Sequence, residues 1–263
     1  MAVERSIKTL DGELIKDDMR PSRTTLYGEG VFETFRYKGR IPRTIEKHYN
    51  RLKKGAETLE IPVISIDDYV DYIEETLKIA EEAGLGEDLY VKTVLLSEGG
   101  DYYALVPYKS HLLVMVKPYK PTKDKITLTV APFRVHSSDP LLRIKSNNYA
   151  RNILAKRYAL QNGYDDAVFL NERGEITETT SANIYWIKGN TLYTPALECG
   201  LLEGITRSSV LQKAKEQGFN VVEGRFTLKD LANADYIFVS NALNGIIKVK
   251  KFDILALKEQ LGG

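Results

Sequence analysis

Apolar positions recur along this chain in two periods. Residues 31–37 (V-F-E-T-F-R-Y) read as a strand, with a turn at Lys38-Gly39. Ile45, Tyr49, Leu52, Ala56 and Leu59 then step by four and three, which places them on one stripe of a helix. Val70, Ile73, Leu77 and Ala80 predict a second helix, and Gly84 is a suitable stop. Residues 89–96 and 112–116 read as buried strands. A hairpin is expected at the start, with 6–10 and 13–15 joined by Asp11-Gly12, followed by a polar stretch, 16–25.

The segment K-P-Y-K-P-T-K-D-K interrupts this pattern, and residues 118–125 are the best candidate linker. It separates an expected N-terminal domain, 1–117, from an expected C-terminal domain, 126–263. Beyond it, residues 126–131, 166–170, 183–187, 191–194 and 236–240 read as strands, and 175–178 is strand-like. Residues 150–160 are expected to be helical, and another helix opens near Thr206 and ends near Gly218. Strands come in groups with few helices, so the expected class is α+β rather than a doubly wound sheet.

Composition narrows the function classes. The chain has 263 residues, 43% hydrophobic and 28% charged, as in an ordinary soluble globular protein. Its net charge of +1 gives no global field that would point to nucleic acid or a membrane surface. Cys199 is the only cysteine, so no intramolecular disulfide can form. Together with the scattered His48, His111 and His136 it makes a structural zinc site an unfavourable reading, and no metal is expected. The start lacks the apolar core of a signal peptide and no apolar run reaches membrane-spanning length, so a cytoplasmic protein is expected.

Three features carry candidate chemistry. Lys145 ends a short strand-like run in R-I-K-S-N-N-Y and precedes a helix. A lysine nucleophile needs burial or a nearby positive charge to free its amine, and Leu141, Leu142, Ile144 and Tyr149 make partial burial reasonable. Glu178 lies in G-E-I-T-E-T-T-S-A-N, where small residues would let a planar ring approach the backbone. In L-L-E-G-I-T-R, Gly204 lets the chain turn and Thr206 sits where a helix begins, a place suited to a phosphate. Each has an ordinary alternative: a solvated lysine, a surface acid after a turn, a common helix cap. Together they suit pyridoxal 5'-phosphate (PLP), whose aldehyde an amine can hold, whose ring nitrogen a carboxylate can protonate and whose phosphate a helix start can bind. Arg51 lies beside its helix's apolar stripe and could reach inward to a phosphate, or pair on the surface with Glu46 or Glu57. Tyr149 could hydrogen-bond a cofactor oxygen or be a half-buried core residue.

The ordered set Y-G-E-G-V-F-E-T-F-R, H-Y-N-R-L, K-S-N-N-Y, G-E-I-T-E-T-T-S-A-N-I-Y-W, G-L-L-E-G-I-T-R and A-D-Y-I-F-V-S-N-A-L resembles the class IV aminotransferase family, the fold-type IV PLP enzymes. The resemblance covers nearly the whole chain. It implies a small N-terminal α/β domain, a larger C-terminal domain of mostly antiparallel strands, PLP between them and a homodimer with shared active sites. It matches Lys145 to the Schiff-base lysine and Glu178 to the pyridine-nitrogen partner. Arg51, Ile205 and Thr206 match phosphate-binding positions, Tyr149 the ring-oxygen tyrosine, and Ser181 and Ala182 backbone contacts near the cofactor. Ala242 stands where a phosphate-binding threonine is often found.

Two reactions follow from the resemblance. One is amino transfer between an amino acid and a 2-oxo acid in ping-pong fashion, with Lys145 as the proton carrier. The other is elimination of pyruvate from 4-amino-4-deoxychorismate to leave p-aminobenzoate. Thr34 in F-E-T-F-R, Lys92 and Asn241 in S-N-A-L are lyase-like, whereas Asp101 stands in G-G-D-Y-Y where the lyase pattern has an arginine. Amino transfer is the preferred expectation, being the commoner family activity. Tyr27, Phe32, Tyr102 and Tyr103 are candidate walls of an apolar substrate pocket, or plain core and interface. A non-catalytic binding module on the same fold is the remote alternative, and intact Lys145 and Glu178 argue against it.

Overall fold

The computed structural model describes residues 7–14, 22–100 and 102–252. The chain forms two compact units. Met1–Pro121 with Ile144–Asn148 make the first, and Thr122–Arg143 with Tyr149–Gly263 make the second.

In the first unit, β1 (Ile7–Leu10) and β2 (Glu13–Leu14) form the expected hairpin, with Asp11 and Gly12 at positive φ in its turn. The outer expected positions, Ser6 and Ile15, lie outside the described residues. The polar stretch yields a short helix, α1 (Arg23–Tyr27), capped by the Ser22 hydroxyl, which accepts from the Thr25 N–H. β3 (Gly30–Lys38), α2 (Ile45–Thr58), α3 (Ile66–Glu82), β4 (Asp88–Glu98) and β5 (Lys109–Pro118) follow. The strands form one antiparallel sheet in the order β2-β1-β5-β4-β3.

Strand alternation decides which β3 residues meet the helices. Val31, Glu33 and Phe35 point to α2, where they meet Gly55, Arg51 and His48. On the adjoining strands, Tyr69 of α3 hydrogen-bonds Thr93, and Thr76 bonds Thr9. Leu52 and Phe35 are each 1% exposed, a burial worth about 2–3 kcal/mol per side chain.

The second unit contains β6 (Lys125–Val130), α4 (Ala150–Gln161), β7 (Asp166–Leu170), β8 (Ile176–Thr179), β9 (Asn183–Lys188), β10 (Thr191–Pro195), α5 (Ile205–Glu216), β11 (Asn220–Gly224), α6 (Leu228–Ala232), β12 (Tyr236–Asn241) and β13 (Gly245–Phe252). Its eight strands run β11-β10-β9-β12-β13-β6-β7-β8. Four of the seven pairings are antiparallel; β10-β11, β13-β6 and β6-β7 are parallel. Its main core gathers Leu128, Val168, Ile184, Trp186 and Val239. Ala155 and Ala159 of α4 pack with Ala167 and Phe169, and Val210, Leu211 and Ala214 of α5 pack with Tyr185 and Leu192. Among the described residues, no helix is long and apolar enough to cross a membrane.

Candidate active site

Lys145 does not end a strand. A one-turn 3-10 helix, Pro140–Leu142, leads into a turn containing Lys145, and Ser146 then makes an isolated antiparallel bridge with Val31. The Phe32 N–H donates to the Lys145 carbonyl at 2.9 Å, and the Asn147 N–H donates to the Gly30 carbonyl at 2.9 Å. These bonds strap 145–147 across the start of β3. The Asn148 amide reaches the Gly28 carbonyl at 3.0 Å. Gly55 lets α2 approach this strap: a Cβ there would lie 3.0 Å from Val31 and 3.5 Å from Ile144.

The Lys145 ammonium lies over the Phe32 ring at 4.5 Å, and that of Lys92 lies over the same ring at 4.4 Å. Thr34 is opposite Lys92 in the β3-β4 register. Sheet alternation therefore puts Phe32, Thr34 and Lys92 on the face turned away from Glu33. Burial pushes the Lys92 ammonium below its ordinary range.

Arg51 turns inward to Glu33. Its Nε and Nη2 donate to the two oxygens of Glu33, each at 2.7 Å. His48, one helical turn earlier, meets the same carboxylate through Nδ1 at 2.7 Å. Glu33 is completely buried. Burial would raise its pKa, but the Arg51 charge and the bonds from Arg51 and His48 outweigh that effect and hold it at about 2. An ionised carboxylate only accepts, so His48 Nδ1 carries the shared hydrogen. The sequence reading missed Glu33 and His48 because F-E-T and H-Y-N-R are separate in the chain. The usable signal was the three-residue spacing of His48 and Arg51.

Arg23 is a further residue the motifs did not reveal. It is 5% exposed, and its guanidinium pairs with Glu29 through Nε and Nη2. Nη1 donates to the carbonyls of Gly100 and Tyr102, and Nη2 also donates to Tyr103. These bonds occupy all five guanidinium donors. They anchor the ends of the G-G-D-Y-Y loop, whose Asp101 lies outside the described residues. Tyr102 and Tyr103 pack with ring centroids 4.3 Å apart, and Tyr27 meets Tyr103 edge-on at 6.5 Å. All three rings are substantially exposed.

In the second unit, Glu178 lies within β8. The Leu202 N–H donates to one of its oxygens and the Asn183 amide to the other, each at 3.3 Å. Asn183 is 5% exposed and also donates to the Leu202 carbonyl at 2.9 Å. It therefore fixes Glu178 to the turn before α5, a role legible only as the last letter of T-T-S-A-N. Gly204, not Thr206, is the N-cap of α5, and no side chain caps that end. Ile205 and Thr206 are thus the first two helical residues, where backbone N–H groups lack intrahelical acceptors. A Cβ on Gly204 would fall 2.1 Å from Asn183 Oδ1, so any larger residue there must displace the Asn183 amide.

The T-T-S-A turn is held from below. Buried Asp166 accepts from the Thr180 and Ser181 hydroxyls, at 2.5 and 3.3 Å. The Ala182 N–H bonds the Thr179 hydroxyl at 3.0 Å. Tyr149, just before α4, donates its hydroxyl to the Thr180 carbonyl at 3.0 Å, and Asn152 donates there too at 2.8 Å. The Asn241 amide reaches the Ser181 carbonyl at 3.3 Å, while its oxygen accepts from the N–H groups of Leu243 and Asn244, the turn that contains Ala242. Cys199 is buried, which pushes its thiol up to about 11 and leaves it unreactive at neutral pH.

Sequence positions therefore gather within each unit: Phe32, Thr34 and Lys92 on one face of the first sheet with Lys145 against the Phe32 ring, the Glu33-Arg51 pair on the opposite face, and Glu178, Ser181, Ala182, Ile205, Thr206 and Asn241 around two linked turns in the second. Residues 30–252 match the model of amino-transferase class IV. The chain is similar to the aminodeoxychorismate lyase of Bacillus subtilis, with 29% identity over 90% of this chain and 82% of that one. It is 30% identical to the D-alanine aminotransferase of Bacillus licheniformis, over 86% of this chain and 80% of that one. The crystal structure of the branched-chain aminotransferase from Thermoproteus uzoniensis with norvaline superimposes with a TM-score of 0.85 at 27% identity, covering 95% of this chain and 88% of that one.

Proposed function

Because the chain belongs to the class IV aminotransferase family, we propose that it is a PLP-dependent aminotransferase moving an amino group from an amino acid to a 2-oxo acid. The donor set fits that cofactor. A lysine is strapped in a turn, a carboxylate is oriented through both oxygens, and a helix start has a glycine cap with no competing side chain. PLP, when bound, supplies an aldehyde for amine capture and a ring that withdraws electrons from the reacting carbon.

In this reading Lys145 Nζ holds the cofactor. When freed, it removes and returns a proton as general base and then acid. Glu178 keeps a proton on the pyridine nitrogen, with Asn183 and the Leu202 N–H preventing its rotation. Arg51 and the N–H groups of Ile205 and Thr206 take the phosphate, and Glu33 fixes the plane of the Arg51 guanidinium. Ser181, Ala182 and Ala242 contribute backbone. Tyr149 takes the ring oxygen, which requires its hydroxyl to leave the Thr180 carbonyl; Asn152 would still hold that carbonyl.

Arg23 carries the choice of amino transfer over elimination. Position 101 is aspartate, and the arginine that does reach the loop has spent all five donors on Glu29 and three carbonyls. It has no donor left for a second substrate carboxylate. Elimination from aminodeoxychorismate is the second reading, favoured by Thr34, Lys92 and the similarity to the Bacillus subtilis lyase. A homodimer is part of the proposal, supported by the exposed Leu26, Tyr27, Tyr102, Tyr103, Leu105, Val106 and Tyr108 of the first unit. A paired assay separates the reactions. Oxo-acid-dependent amino transfer is expected, while stoichiometric pyruvate and p-aminobenzoate without an acceptor would overturn the preference.

A further inference from the structure

We propose that Arg23 and Glu29 are a positioning pair that couples the 99–103 loop to the turn carrying Lys145, so that loosening either one loosens the other. The catalytic sense of this coupling rests on the reading of Lys145 as the cofactor-holding lysine and of Tyr102 and Tyr103 as substrate contacts. Its basis is a continuous run of hydrogen bonds inside the first unit, to which residues 144–148 belong. At one end Arg23 holds the Gly100 carbonyl at 3.1 Å and the Tyr102 and Tyr103 carbonyls at 3.0 Å each. The same guanidinium engages both oxygens of Glu29. At the other end the two neighbours of Glu29 hold the turn. The Gly28 carbonyl accepts from the Asn148 amide at 3.0 Å, and the Gly30 carbonyl accepts from the Asn147 N–H at 2.9 Å. Phe32, two residues beyond Gly30, donates its N–H to the Lys145 carbonyl.

Glu29 is itself fixed, so it transmits a displacement rather than absorbing it. Its carbonyl accepts from the Thr24 hydroxyl at 2.6 Å, and the Ser97 hydroxyl lies 3.0 Å from Oε2. Ser97 is fully buried, and its N–H donates to the Thr24 hydroxyl at 2.9 Å. Gly28 has φ +70°, and a Cβ there would fall 2.7 Å from Asn148 Oδ1, so the turn lies against the segment before β3. The β-ladders offer the loop no equivalent connection. The β3-β4 ladder ends at Gly30 and Leu96, and the β4-β5 ladder ends at Glu98 and Lys109. Beyond them the loop carbonyls meet Arg23, through bonds strengthened by its charge. Two sites that bias one shared element are coupled, and the coupling is reciprocal.

The test is amide hydrogen exchange on the full chain freed of PLP, followed by mass spectrometry. Among the described residues the Glu29 carboxylate hydrogen-bonds Arg23 and Ser97 and neither the loop nor the turn. Glu29→Gln keeps the shape and removes the ion pair. Exchange in both 99–106 and 145–148 should rise about tenfold more than at Val114 and Val116 of β5, which report global unfolding. Asn148→Ala is the reciprocal variant. It cuts the turn's bond to Gly28 and should speed exchange in 99–106 by a similar factor. The double variant should add little to either, because both break one network. If Glu29→Gln does not fold, Asn148→Ala carries the test alone. Wild-type exchange in 99–106 of Asn148→Ala, or in 145–148 of Glu29→Gln, overturns the proposal. Borohydride reduction of PLP-treated wild-type protein separates the two levels. Label on Lys145 without reciprocal exchange sinks only the coupling, whereas absence of label there sinks the functional reading itself.

Discussion

Glu33→Gln removes the charge at the centre of the buried cluster while nearly preserving its shape. Glu33 accepts three bonds, two from Arg51 and one from His48, and has no exposed surface. Its pKa of about 2, against an ordinary 4.5, makes the folded state the stronger acid. A depressed carboxylate pKa contributes stability that is fully present above the unfolded value and is lost as pH falls toward the folded one. The difference corresponds to about 3 kcal/mol at pH 7, similar to the roughly 3–5 kcal/mol lost when one partner of a buried ion pair is removed. Glutamine also turns an amide N–H₂ toward a donor of Arg51 or His48. Urea unfolding followed by far-UV circular dichroism should show the variant about 3 kcal/mol less stable at pH 7. The gap should narrow by about 1.4 kcal/mol per unit below roughly pH 4.5. Trp186, the single tryptophan and a second-unit residue, should report unfolding of that unit with little change. A loss under about 1 kcal/mol, or a gap independent of pH, would refute the reasoning.

Arg23→Ala leaves Glu29 and the carbonyls of Gly100, Tyr102 and Tyr103 without their shared donor, so faster hydrogen exchange across 98–106 and a stability loss of about 2–4 kcal/mol are expected. Wild-type exchange in that loop would contradict it. Gly204→Ala places a Cβ 2.1 Å from Asn183 Oδ1; displacing Asn183 should weaken PLP binding at least about tenfold in an equilibrium titration, whereas unchanged affinity would show that Asn183 does not set the cofactor carboxylate. Asn183→Ala should reproduce that loss with α5 intact, and Asn183→Asp should be worse because it brings a second carboxylate to Glu178.

Much of the fold was legible because local period and burial agree. The stripe Ile45-Tyr49-Leu52-Ala56 became α2, and 31–37 became β3 with one residue added at each end. Elements without a long apolar pattern escaped. α1 is five residues long and depends on the Ser22 cap; β13 interleaves lysines with apolar residues in G-I-I-K-V-K-K-F. α6 did announce itself, since Thr227 and Asp230 form a capping box, but it has only five residues behind it. Lys145 and Glu178 stood out through residue type and company. The Glu33 partner of Arg51 did not, because Glu46 and Glu57 of its own helix were the candidates weighed and Glu33 arrives through strand-helix packing eighteen residues upstream. The turn at Lys145 was hidden for the same reason: its strand-like pairing is a single bridge made to β3.

Capture of PLP by Lys145 can be measured directly. The purified chain, saturated with PLP, is reduced with borohydride, digested and mapped by mass spectrometry, with Lys145→Ala treated in parallel. One phosphopyridoxyl group per chain, on Lys145, is expected, together with a visible absorption band before reduction that the variant lacks. Label confined to other lysines, or an identical band in Lys145→Ala, would contradict it.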